Sequence, residues 1–107
     1  MRFVIYERFT MIRTDSSPRL IVSTDWIPIE ITSDFFLILT FRGYAPACEA
    51  CVIPTGLKYT LLLGAKSLSD AIEPLRLKNG GGISGIKASI RKQGTERTSA
   101  YEIRGIG

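Results

Sequence analysis

Apolar residues in this chain return at every second position in short runs, and only one stretch returns at helical spacing. This pattern constrains the fold most, because a side-chain period of two belongs to a strand and a period near 3.6 to a helix. Residues 2–13 read as a first strand, with Phe3, Ile5, Phe9 and Met11 on one face. "TDSSP" (14–18) is a turn. A second strand starts at Arg19, is bent or bulged at "STDW" and resumes as "WIPIEI", where Ile27, Ile29 and Ile31 alternate with Trp26, Pro28 and Glu30. Pro28 predicts an edge position or a bulge, since proline cannot donate to a ladder. "FFLILTF" (35–41) predicts a central strand buried on both faces. Gly43, Pro46, Pro54 and Gly56 predict a loop over 42–56, and "LKYTLLL" (57–63) predicts another strand.

The helical stretch is 68–78, with Leu68, Ala71, Ile72 and Leu75 as its apolar stripe. Ser67 or Ser69 is the expected cap, Asp70 and Glu73 favour the first turns, and Pro74 kinks the helix or ends its first half. "NGGG" (79–82) stops it, and the glycine-rich run to Gly85 reads as a flexible connector or a loop passing close to a ligand or another chain. It lacks the Lys-Ser/Thr of a phosphate loop. "GIKASIRK" and "AYEIRGI" then form a closing hairpin. Together these elements predict one domain over 1–107, mainly β with one helix (α+β): an OB-like small barrel or a half-open antiparallel sheet covered by a single helix.

No apolar run approaches the ~18 residues of a membrane helix, so no membrane partner is expected. Glu7 and Arg8 stand where a signal peptide would be apolar, which predicts a cytoplasmic protein. Histidine is absent from the sequence. The commonest general base and the Ser-His and Cys-His nucleophile pairs are therefore excluded, and a non-enzyme without cofactor is expected.

Residues 1–75 carry seven Lys/Arg against eight Asp/Glu, whereas residues 76–107 carry seven against two. This asymmetry points to an anionic partner as well as to a solvated basic face. With Ile90 opposite Tyr101 and Ala88 opposite Ile103, the closing hairpin turns Ile86, Ala88, Ile90, Tyr101 and Ile103 to the core. Lys87, Ser89, Arg91, Glu102 and Arg104 then face outward, and the loop adds Lys92 and Arg97. A basic curved sheet with aromatic platforms is how single-strand binders hold backbone and bases. Tyr44, beside Arg42 in a Gly/Pro stretch, and Tyr59, after Lys58, are the preferred platforms. Trp26 follows Asp25 at the kink and is a further candidate, while Phe36 and Phe41 are expected in the core.

The run Arg91, Lys92, Gly94, Thr98, Tyr101, preceded by "GLKYTLLLGAKSLSDAIEPL", resembles small OB-type single-stranded-DNA-binding proteins of archaea and phages over roughly residues 57–105. The Thr98–Tyr101 spacing is three where that pattern has two, and Glu96 stands at its second turn glycine. The resemblance implies an archaeal or viral DNA-binding protein and a strand–helix–hairpin order. "CEAC" places Cys48 and Cys51 as a lone C-x-x-C, read as a structural pair, a disulfide, or part of a zinc site shared with a second subunit.

The resulting expectation is a non-catalytic module for single-stranded DNA or RNA that uses Arg42, Tyr44, Lys58, Tyr59, Lys87, Arg91, Lys92, Arg97 and Arg104. The alternative is a protein-interaction module: a homodimer or a small subunit of a larger assembly.

Overall fold

The computed structural model describes residues 12–13, 18–96 and 98–106, so the expected first strand lies mostly outside the described residues. Among the described residues the architecture is α+β: one mainly antiparallel sheet with one helix packed on it. The strands are β1 (Ile12–Arg13), β2 (Ile27–Ile31), β3 (Phe36–Thr40), β4 (Gly43–Val52), β5 (Lys58–Leu62), β6 (Lys87–Lys92) and β7 (Tyr101–Gly105). The helix α1 (Lys66–Lys78) lies between β5 and β6 in the chain. Between residues 19 and 27 the chain bends at Thr24 and Asp25, as the polar "STDW" predicts.

β4 organises the sheet. Its first half pairs with β3, its second half pairs with β2, and β5 lies along its other edge. Ile31 faces Ala50 and Phe36 faces Ala47, so residues 32–35 oppose only Cys48 and Glu49. β2 and β3 are thus one long arm interrupted by a bulge of two extra residues. Side chains hold the bulge: Ser33 Oγ accepts the Glu49 amide at 2.9 Å, and Thr32 Oγ1 donates to Glu49 Oε1 at 2.8 Å.

Most of the expected loop over 42–56 is in fact a strand, Gly43–Val52, the longest among the described residues, and Pro46 sits within it opposite Leu37. The Pro46 carbonyl accepts from Leu63 N, beyond the last β4–β5 pair at Ala47–Leu62, so the missing N–H falls where that ladder ends. The same reason corrects the expectation for Pro28. β2 is central, between β4 and β6, rather than an edge. The Pro28 carbonyl accepts from Ile53 N, one position past the end of β4, where no further donor is required.

β3 is not buried on both faces. Phe36 and Ile38 are buried, but Leu39 is 63% exposed, because the β3–β4 hairpin runs beyond the core. The main core lies between the inner face of the sheet and the helix: Ile29, Ile31, Cys48, Ala50, Leu61, Leu68, Ile72, Ala88 and Ile90, with Tyr101 and Ile103 packed against it.

The helix begins two residues earlier than the apolar stripe suggests, and neither serine caps it. Ser67 Oγ accepts the Tyr101 amide at 3.1 Å, and Ser69 Oγ donates to the Leu63 carbonyl at 2.8 Å. Asp70 instead pairs with Lys66 at 2.7 Å, and the helix continues through Pro74 to Lys78. The glycine-rich segment after it is pinned rather than flexible. Asp34 Oδ1 accepts from Ile83 N at 2.9 Å and Ser84 N at 3.1 Å, and Asn79 Nδ2 donates to the carbonyls of Gly82 and Ser84, both at 2.9 Å.

Candidate nucleic-acid interface

The inner face of β2, β6 and β7 carries the isoleucines, so alternation turns the polar residues outward. Observed pairs are Ile27–Ile90, Ile29–Ala88, Ile90–Ile103 and Lys92–Tyr101. The β6–β7 register thus differs by two residues from the expected one. An even shift keeps every side chain on its face. Lys87, Ser89 and Arg91 of β6 stand beside Glu102 and Arg104 of β7, with Pro28 and Glu30 of β2 on the other side.

Trp26, half-buried just before β2, joins this face. The guanidinium carbon of Arg91 lies 4.6 Å from its ring centroid and that of Arg104 lies 4.2 Å away. Both are within the ~6 Å over which a cation is drawn to an indole face. Arg91 is also tied to Glu102, whose Oε1 accepts from its Nε at 3.0 Å and lies 2.9 Å from its Nη2. Sequence reasoning kept Trp26 among the aromatics but did not group it with the arginines. Parity places Trp26 and Arg91 outward beside Ile27 and Ile90, but that Ile27 faces Ile90 is set by strand pairing alone.

The other expected residues lie elsewhere. Arg42 and Phe41 form the two-residue turn of the β3–β4 hairpin, closed by Gly43 at φ +107 and by Thr40 Oγ1 donating to the Gly43 carbonyl at 2.7 Å. Phe41, expected in the core, is 92% exposed, with the Arg42 guanidinium carbon 5.5 Å from its ring. Tyr44 is 58% exposed and sits opposite Leu39. Tyr59 is half-buried and opposes Ala50, six residues along β4 from Tyr44, which is up to about 20 Å of strand. The two preferred tyrosines therefore do not share one platform. Lys58 lies 3.7 Å from Glu49, and the Lys92 ammonium lies 5.3 Å from the Tyr101 ring. Arg97 lies outside the described residues.

Cys48 and Cys51 are both free thiols. Three positions apart on β4, they point to opposite faces, which excludes a disulfide between them and a chelate within the strand. Among the described residues no group of three or more Cys, Asp or Glu side chains could hold a metal ion. Burial, and next the Glu49 charge, push the Cys48 thiol from 9.0 up to about 12. A raised thiol contributes stability below the unfolded-state value and loses it as pH rises from there towards the folded one. Stability is expected to fall above pH 9, by about 1 kcal/mol at pH 10 from this group. Urea titrations at pH 8 and pH 10 on the protein and its Cys48→Ala variant measure this contribution, since the variant lacks it.

Among the described residues no helix is long and apolar enough to cross a membrane. No protein-family model matches this chain, and neither curated proteins nor solved structures include a significant match to it.

Proposed function

We propose that this chain is a non-catalytic, OB-like module that binds single-stranded nucleic acid. The observation that carries the reading is the outward face on which Arg91 and Arg104 flank Trp26, with Lys87 further along the same face. The chain order supports the OB-like part. If β2 and β3 are halves of one long bent strand and the two-residue β1 is set aside, the helix falls between the third and fourth of five strands, as in an OB barrel. β5 and β7 do not pair among the described residues, and α1 packs against β7, so the barrel is half-open. In that counting Phe41–Arg42 is the loop between the first two strands and 93–100 the loop between the last two. OB modules use both loops to hold oligonucleotides.

The test is an oligonucleotide titration at 50 and 200 mM salt, comparing single with double strands. Two or three neutralised phosphates on a single strand predict a loss of about 7–20-fold between those salts. Absence of binding at low salt, or affinity indifferent to salt, would overturn the proposal.

A protein-interaction module is the second reading, favoured by the projecting Leu39, Phe41 and Tyr44, which expose apolar surface at one hairpin tip. Self-association or partner capture lost in Phe41→Ser, with oligonucleotide affinity unchanged, would favour it.

A further inference from the structure

Resting on the nucleic-acid reading, we infer that Arg104 is a pre-oriented phosphate fork seated on Trp26, and that Glu102 withholds Arg91 from the ligand. The two arginines flank the same ring but differ in what else they touch. Arg91 directs Nε and Nη2 at Glu102 Oε1. The Arg104 guanidinium has no hydrogen-bond or ion-pair partner among the described residues, and the residue is exposed. Its guanidinium carbon is the nearer to the indole, at 4.2 Å. A stacked guanidinium keeps its planar fork of N–H donors available at the edge while the ring limits its rotamers, which is the geometry a phosphate accepts bidentately.

On this face the surroundings single out this residue. Lys87 shares the face but lies opposite Glu30. Lys58 lies beside Glu49, and Arg76 donates to Glu73. Ser89, directly opposite Arg104, adds a small hydroxyl rather than a bulky side chain, so the approach to the fork is not crowded from β6. Trp26 in this arrangement is a seat for a cation rather than a platform for a base, and any stacking falls to Phe41 and Tyr44 at the hairpin tip.

Trp26 is the chain's one tryptophan, so its emission reports this site directly. The probe is a short oligothymidylate titrated against the intact protein at several salt concentrations. Arg104→Ala is expected to weaken binding about tenfold at low salt and to make the log–log salt slope shallower by about 0.7, one phosphate's share on a single strand. Arg104→Lys keeps the charge and loses the stacked fork. It is expected to retain the slope while still binding several-fold more weakly. Glu102→Gln releases Arg91 and is expected to tighten binding several-fold and steepen the slope by about 0.7. Circular dichroism on each variant checks the fold. If the parent binds with salt dependence and Arg104→Ala changes neither affinity nor slope, the Arg104 assignment is wrong while the function stands. Unchanged binding by Glu102→Gln would overturn the withholding of Arg91. A parent that binds no oligonucleotide removes both the inference and the function.

Discussion

Leu68→Ala is expected to lower the unfolding free energy by about 3–4 kcal/mol, read as a shifted urea midpoint with an unchanged slope. Leu68 is fully buried in the first turns of α1 and belongs to the main core cluster. Its cost should lie in the upper part of the usual range because the helix has little support of its own. No side chain caps its N-terminus, no acidic residue occupies its first turn, and Pro74 removes a backbone bond from its interior. Thirteen residues with those defects are held mainly by the apolar face they bury, here Leu68 and Ile72 with Leu75 packed beside them. A loss below about 1 kcal/mol would mean that the helix is stabilised by something other than this contact.

Asp34→Ala is expected to cost about 2–3 kcal/mol. The carboxylate accepts two backbone amides, those of Ile83 and Ser84, and Ile83 is buried. Removing it leaves one amide poorly solvated as well as two charge-assisted bonds lost. Asp34→Asn keeps an acceptor oxygen and should recover part of the loss. Gly82 sits under the same group: a Cβ there would lie 2.9 Å from Asp34 Oδ1. Gly82→Ala should therefore destabilise the parent more than it destabilises Asp34→Ala, and a double-mutant cycle by urea unfolding measures the difference. Additive effects would show that the loop and the carboxylate do not constrain each other.

The closing hairpin was the most legible part of the fold. Alternation assigns faces by parity, so an error of two residues in register left Tyr101 and Ile103 inside and Arg91 and Arg104 outside. The bend at 23–26 and the strand at 57–63 were legible for similarly local reasons. Residues 42–56 were not, because two glycines and two prolines within fifteen residues mark a loop unless a partner strand is known. Pro46 and Pro28 lie in strands at points where a ladder stops, and only the partner strands decide that. Phe41 was misplaced because an apolar run says nothing about where the core ends along it. Ser67 and Ser69 could not be recognised as tertiary contacts, since Tyr101 and Leu63 reach them through folding. For the candidate site, the outward charges followed from periodicity. The grouping of Trp26 with Arg91 and Arg104 depends on long-range pairing that one sequence does not print.

The position of Pro46 bears on how an exposed apolar tip can resist pairing with other chains. Past the end of β5, the edge of β4 from Gly43 to Ala45 has no strand beside it among the described residues, and Leu39, Phe41 and Tyr44 are exposed close by. Such a combination invites another chain to add itself by backbone pairing and grow into an aggregate. Pro46 faces that edge without an N–H to offer, so an incoming strand loses a rung where it would join the existing ladder. The tip can present side chains to a partner while its backbone discourages zipping onto a second sheet.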